Sequence, residues 1–322
     1  MAELLAGVDV GGSKVAAGLV TPRGELVFHT RARMEVHDAG AALQSVVQVI
    51  EEVCREAGQR GVRLRELGLC APGPLDLATG RVLNAPNLPC WHGFPLVETI
   101  ENRVGLRVYL ENDANAAGLA EALWGAGRDS RILFYATLGT GLGTALLVEK
   151  TIFHGGGGYA VEAGHLTLDY NGPVCGCGKR GCAEVFCAGP AIARRAHRKV
   201  ASRAESSTLA RLLEQSSEGQ AAEPVVEAFR QGDELARGVL EETADLLGIW
   251  LGCVMDLFDP DRIVLGGGLS GVFAELSERI AAVAGRWALN PRAQQIPLGT
   301  ARYGAEAGIA GAAALVLRAT SE

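Results

Sequence analysis

Aromatic residues make up only 5% of this 322-residue chain, and long apolar runs are missing. One of the longest, residues 246–255, is closed by Asp245 and Asp256, well short of the roughly 20 apolar residues that span a bilayer. It reads as a buried helix, so a helical membrane protein is excluded. Positive charge is also short. Lys and Arg total 30 against 37 Asp and Glu, a net charge of −7, and this leaves no broad basic face for nucleic acid. The one dense cationic run, Arg194-Arg195 through His197-Arg198-Lys199, has helical spacing and reads as a solvated helix face. No secretory leader is expected either. Residues 4–8 enter a strand pattern at once, without the basic segment, apolar stretch and cleavage site of a signal peptide, which predicts a cytoplasmic protein. Gly-x-x-x-x-Gly-Lys-[Ser/Thr] does not occur, and neither Gly11-Gly12 nor Gly139-Thr140-Gly141 belongs to a helix-opening Gly-x-Gly-x-x-Gly, so phosphate, if bound there, is bound by another kind of turn.

Glycine is plentiful, at 43 residues, and 48% of the chain is hydrophobic, a balance that suits strands, helices and tight turns in a soluble α/β enzyme. The length favours two lobes over one core. Residues 165–182 hold four metal-ligand types in a short span: His165, Cys175, Cys177 and Cys182. One imidazole and three thiolates fill a zinc tetrahedron and leave no open position for a reactive water, so the site is structural. Gly176, Gly178 and Gly181 let the backbone fold tightly around it. Unrelated residues or paired disulfides are the competing explanation. The other five cysteines (Cys54, Cys70, Cys90, Cys187, Cys253) are expected as free thiols in a reducing compartment.

A strand, a glycine turn and a second strand occur at residues 4–20 around Val10-Gly11-Gly12-Ser13, and again at 132–148 around Leu138-Gly139-Thr140-Gly141. The chain therefore reads as internally duplicated. A third glycine break, Gly266-Gly267-Gly268, follows another strand. Such turns either cradle phosphate with exposed N–H groups or are plain hairpins. Residues 41–57 and 304–317 read as helices, the second built from small residues that pack closely on a sheet. Residues 201–224 read as exposed helix and loop without chemistry. Asp113 stands where the strand 107–110 gives way to a helix, a place for a general base or, equally, for a helix cap. Glu162 and Glu184 flank the ligand cluster, and with Asn87 they suit the paired hydroxyls of a sugar, although surface carboxylates are common.

Together these pieces resemble the ROK family of repressors, open reading frames and kinases, above all its bacterial glucokinases, over essentially the whole chain. The matching segments are Asp9-Val10-Gly11-Gly12-Ser13-Lys14, Ala71-Pro72-Gly73-Pro74, Pro86-Asn87-Leu88-Pro89, Asn112-Asp113-Ala114-Asn115-Ala116, Leu138-Gly139-Thr140-Gly141-Leu142-Gly143, Glu162-Ala163-Gly164-His165 and the cysteine cluster. The resemblance implies an α/β, two-lobed, actin-like/hexokinase-type (ribonuclease H-like) fold with duplicated mixed sheets. Residues 1–117 with the helix 304–322 would form the small lobe, and 118–303 the large lobe with the zinc loop. It also implies transfer from ATP, with magnesium, to the 6-hydroxyl of glucose, deprotonated by Asp113. N-acetylmannosamine, N-acetylglucosamine or fructose would be the alternative sugars, and the family's sugar-responsive transcription repressor the alternative of a different class. Asn87, Asn112, Glu162, His165 and Glu184 would hold the sugar. Gly11, Gly12, Ser13, Lys14, Gly139, Thr140 and Gly141 would lie at the phosphates, Gly266, Gly267 and Gly268 at the adenosine, and Asp9 near magnesium. His165 would serve zinc and sugar together. A homo-oligomer, dimer or tetramer, is expected, as is no nucleic-acid partner, since the chain starts at the first glycine-turn strand without room for a DNA-binding module.

Overall fold

The computed structural model describes residues 3–202, 207–216 and 222–320. Strands β1 (Leu5–Val10), β2 (Lys14–Val20) and β3 (Leu26–Arg33) form an antiparallel meander. Helix α1 (Ala39–Gln59) follows, and β4 (Glu66–Ala71) returns parallel to β1. A small hairpin, β5 (Leu75–Asp76) with β6 (Arg81–Val82), and α2 (Leu96–Val104) lead to β7 (Arg107–Asn112), parallel to β4. β7 runs straight into α3 (Asp113–Leu123). The sheet order is β3-β2-β1-β4-β7.

The plan then repeats. β8 (Ile132–Leu138), β9 (Leu142–Val148) and β10 (Thr151–Ile152) come first. Five helices follow: α4 (Glu184–Cys187), α5 (Gly189–Ala201), α6 (Thr208–Glu214), α7 (Glu223–Arg230) and α8 (Glu234–Phe258). β11 (Arg262–Gly266) is parallel to β8, and after α9 (Ser270–Glu275) and α10 (Ser277–Trp287), β12 (Leu298–Thr300) is parallel to β11. The order β10-β9-β8-β11-β12 reproduces that of the first sheet, so the duplication read from the two glycine turns is present in the strands. The last element is α11 (Ala307–Ala319).

The chain divides into two compact units, residues 1–131, 145–161 and 302–322 in the first, and 132–144 with 162–301 in the second. The C-terminal helix belongs to the first unit, which also holds 118–131 and 145–161. An edge at residue 117 would cut α3, which packs along α11. All eight cysteines are among the described residues and none is bridged.

Local chemistry accounts for the main elements. In α1, Val46, Val47, Ile50, Val53 and Ala57 recur on one buried face, and the Asp38 side chain caps the helix by accepting from the Ala41 N–H at 2.6 Å. α8 contains the apolar run; its Trp250 is fully buried against Phe134 and donates from Nε1 to the Ala163 carbonyl at 2.9 Å. Trp250 and Phe134 thus sit where one large side chain fills the most volume. The cationic run corrects one expectation. Arg194 and Arg198 are exposed on α5, but Arg195 is only 4% exposed, because α5 packs on α8. Its guanidinium forms an ion pair with Glu242 at 2.9 Å from Nε, which makes no hydrogen bond, and donates to the Thr243 hydroxyl at 2.6 Å and the Phe186 carbonyl at 3.0 Å, so the buried charge is paired.

α11 owes its place to small residues on both sides of the contact. A methyl at Gly68 of β4 would overlap the Ala312 carbonyl, and one at Gly7 of β1 the Ile309 carbonyl. The helix backbone lies directly on the strand backbones. Gly68→Ala is therefore expected to destabilise by about 2 kcal/mol or more, since backbone cannot step aside as a side chain can. In Gly58→Ala on α1 the added methyl meets nothing within 4 Å, so that variant should be neutral or up to about 1 kcal/mol more stable. Urea unfolding of the two variants checks the contrast, and equal midpoints would refute it.

Candidate active site and metal centre

In the first unit the acidic residues gather at the carboxyl ends of parallel strands, the customary ligand end of such sheets. Asp9 of β1 is paired in register with Cys70 of β4, and Cys70 with Glu111 of β7. The Cys70 thiol donates to the Asp9 carboxylate at 3.5 Å. Burial raises the Asp9 carboxyl above its ordinary value, opposed by the Cys70 bond and by Lys14 and Arg31. Burial also pushes the Cys70 thiol well up, with Asp9, Asp113 and Glu111 adding to it. A methyl at Gly308, in the first turn of α11, would overlap the Asp9 carboxylate. Asp9 therefore lies against a helix start, where the helix dipole favours negative charge.

The Gly11 N–H donates to the Lys14 carbonyl at 2.9 Å and closes the β1–β2 turn. A methyl at Gly12 would stand 2.9 Å from the Asn87 backbone oxygen, so the turn and the Asn87 segment touch. A methyl at Gly73 would come within 3.4 Å of Asn112 Nδ2. Ser13 and Lys14 are exposed on the turn. At the β7–α3 junction the two readings of Asp113 separate. Asn112 is the cap residue, its Oδ1 accepting from the Ala114 N–H at 2.9 Å and the Asn115 N–H at 3.3 Å. Asp113 is the first helical residue and is exposed, with one oxygen 2.8 Å from the Ala114 N–H.

In the second unit the glycine turn after β8 is held from three directions. The Gly189 N–H, opening α5, donates to the Gly139 carbonyl at 2.8 Å. Gly267, with φ +83°, fits so closely on Leu138 that a methyl would overlap the Leu138 carbonyl. The Leu142 N–H donates to Glu184 Oε2 at 3.0 Å, and a methyl at Gly141 would stand 2.8 Å from that oxygen. Gly139, Thr140 and Gly268 open onto one cavity of about 430 Å³, whose far wall is Val226, Glu227 and Arg230 of α7. Gly266 is buried against Tyr135 and does not line it. Sequence reasoning passed over α7, because an amphipathic surface helix carries no motif that marks a pocket wall.

Glu162 is exposed at the head of a 3-10 turn, Ala163–His165. The residue before it, Val161, has φ +84°, a strained value for a β-branched side chain of the sort that concentrates at functional sites. His165, Cys175, Cys177 and Cys182 place one donor atom each within 4.8 Å of all the others. Cys177 Sγ lies 3.7 Å from Cys182 Sγ, and Cys175 Sγ 3.6 Å from His165 Nδ1. Tetrahedral zinc, with bonds of about 2.3 Å to sulfur and 2.0–2.1 Å to nitrogen, sets those separations near 3.8 and 3.5 Å, so the four residues fit the ion. Gly178 and Gly181 adopt φ of +88° and +65°, as tight folding requires, whereas Gly176 does not. Burial pushes the Cys175 thiol up to about 12, so at neutral pH it is a thiolate only with an ion beside it. Cys175 Sγ also stands 3.5 Å from Glu184 Oε1. Glu184 therefore touches the metal cluster with one oxygen and the glycine turn with the other.

A model of the ROK family matches residues 5–319. The glucokinase of Thermotoga maritima is 34% identical over 281 residues, 86% of either chain. A ROK family glucokinase from Streptomyces griseus, solved in complex with glucose and AMPPNP, superposes with a TM-score of 0.84 at 33% identity, over 97% of this chain and 99% of that one. A ROK family transcriptional regulator, a homologue of the E. coli MLC protein, also reaches 0.84, at 26% identity over 97% of this chain and 77% of its own. The α/β, actin-like/hexokinase-type fold with duplicated mixed sheets, expected from the motifs, is the fold of these structures. The chain belongs to the ROK family.

Proposed function

We propose that this protein is an ATP-dependent glucokinase in which Asp113 is the general base. The observation that carries the reading is the division of labour at the β7–α3 junction. Asn112 takes the capping bonds, so the carboxylate that follows stands exposed at the end of a parallel strand. The glucokinase relatives, at 33–34% identity, supply the reaction.

In this reading the glucose 6-hydroxyl gives its proton to Asp113 as its oxygen bonds to the γ-phosphorus of ATP. The bond from that phosphorus to the bridging oxygen breaks, and ADP leaves. Such transfer depends mainly on positioning and charge stabilisation. From the first unit, Asn87 and Asn112 hold sugar hydroxyls, while Gly12 offers its N–H group to phosphate from a turn that the Gly11 N–H closes on the Lys14 carbonyl. From the second, Glu162, His165 and Glu184 hold hydroxyls, the turn 139–141 receives phosphate, and the cavity between Gly268 and α7 receives the adenosine. Asp9 would hold magnesium, which needs only one or two protein carboxylates beside the substrate phosphates and neutralises their charge.

His165, Cys175, Cys177 and Cys182 would hold zinc, whose part is structural. His165 turns Nδ1 to the cluster, which leaves Nε2 for a sugar hydroxyl. A Cys175 thiolate has no proton to give Glu184, so Oε1 is left for the sugar while Oε2 stays on Leu142. A cytoplasmic enzyme acting as a dimer or tetramer completes the reading, on the strength of the family resemblance.

Three outcomes test it. Asp113→Asn should lower kcat by about 10²-fold or more while glucose still binds, as measured by calorimetry, because the base is lost and the shape is kept. Turnover within a few-fold of the parent would remove Asp113 as the base. Elemental analysis should find one zinc per chain, lost in Cys177→Ala together with most activity; a metal-free, fully active parent would refute the scaffold. Across glucose, mannose, fructose, N-acetylglucosamine and N-acetylmannosamine, kcat/KM should be highest for glucose, since a site pairing with the 2-hydroxyl accepts an acetamido group poorly. An acetylated sugar equal to glucose would keep the hexose kinase and overturn the preference.

A further inference from the structure

Glu111, next to last in β7, is 3% exposed, and the reaction outlined above gives it no task. Its Oε1 accepts from the Asn112 N–H at 2.8 Å and from Asn115 Nδ2 at 3.0 Å. Its Oε2 lies 2.7 Å from His154 Nε2. The carboxylate therefore turns back on its own strand end and reaches the first turn of α3, tying the Asn112 N–H, one residue before Asp113, to the Asn115 side chain, two residues after it. His154 comes from the segment after β10, and its side chain is 38% exposed. The bond to Glu111 raises the imidazole above its ordinary value, and burial only partly opposes this.

The surroundings explain why a clamp is needed. Across the sheet from Glu111 stand Cys70 and then Asp9, and Asp113 follows on α3; all three carboxylates act on the same thiol. Lys14 and Arg31 act on Asp9. Arg318 of α11, on the side of β10, is bonded to Thr151 at 3.0 Å. The basic group in contact with Glu111 is His154. A buried carboxylate among like charges moves or takes a proton unless a cation and hydrogen-bond donors hold it.

We infer that Glu111 is a positioning residue for Asp113 and that His154 clamps it, so that the strand-to-helix junction presents the base to the sugar hydroxyl in one orientation. The inference rests on Asp113 being that base. Misplacing a reacting group by about 1 Å can cost 10²-fold in rate. The hydrogen bonds of the clamp go to Asn112, Asn115 and His154, which lie outside the glycine turns assigned to ATP, so the loss should fall on kcat.

The test compares His154→Leu, which removes the donor, with His154→Gln, which keeps an N–H donor at similar reach, using glucose and ATP. His154→Leu should lower kcat about 10- to 100-fold with the KM for ATP within about 2-fold, and His154→Gln should recover most of the rate. Proton NMR should place the His154 titration above the ordinary imidazole value in the parent and nearer to it in Glu111→Gln. If the pair served stability alone, both kinetic variants would melt earlier and the folded fraction would turn over at the parent rate, which overturns the inference. A His154 ring titrating at its ordinary value does the same. A parent that phosphorylates no sugar overturns the glucokinase reading and this inference with it, whereas an active parent with an unimpaired His154→Leu overturns the inference alone.

Discussion

The Glu184 carboxylate joins the two chemistries of the second unit, with Oε2 accepting from Leu142 at the glycine turn and Oε1 beside the ligand Cys175. Glu184 opens α4, and the carbonyl of Phe186 in the same helix is held by the buried Arg195 of α5. A change in the four-donor cluster is thus passed to the backbone around Gly141 without any long path. Ligand shells of this kind orient their neighbours as firmly as their ion. In the proposed reading a structural ion there would therefore bear on the residues that hold phosphate and sugar, although the cluster leaves no coordination position open.

The first unit solves a different problem. Asp9 and Glu111 stand at the ends of β1 and β7 with Cys70 of β4 between them, and Asp113 follows on α3, so three carboxylates act on one buried thiol. Arg31 and Lys14 on one side and His154 on the other offset the charge, while Cys70 fills the middle as a neutral thiol that donates to Asp9. Desolvation holds the thiol protonated, which is what the site needs, since a thiolate there would be a fourth negative charge.

Much of this was legible in the sequence because it is written in residue types with few alternatives. Three cysteines and a histidine within 18 residues at 165–182 point to one ion, and repeated glycine turns after apolar runs point to repeated strands. What was hidden depends on packing. Arg195 reads as one more surface cation until α8 lies over it. The wall of α7 has no signature, since Val226 and Arg230 would look the same on any surface helix. The unit boundary falls after α3 instead of inside it because α11, almost 200 residues away in sequence, packs along α3. Whether Asp113 or Asn112 caps α3 depends on backbone angles, and both residue types serve as caps.

The duplication also shows how one plan takes on two tasks. The turn after β1 reads Asp9-Val10-Gly11-Gly12-Ser13, and the turn after β8 reads Thr137-Leu138-Gly139-Thr140-Gly141, so the position held by a carboxylate in the first copy holds a hydroxyl in the second. A turn that offers only N–H groups and hydroxyls attracts an anion. A carboxylate at the same place repels a bare phosphate but suits a phosphate that brings a cation with it. In the second unit the glycine turn opens directly onto a cavity. In the first, Asp9 is withdrawn against the start of α11, where Gly308 admits it and the helix dipole steadies its charge. The two copies thus differ in charge, with neutral donors on the second turn and the Asp9 carboxylate on the first, so in the proposed reading one turn suits the bare phosphate and the other its cation, while the proton acceptor, Asp113, stands apart from both after β7.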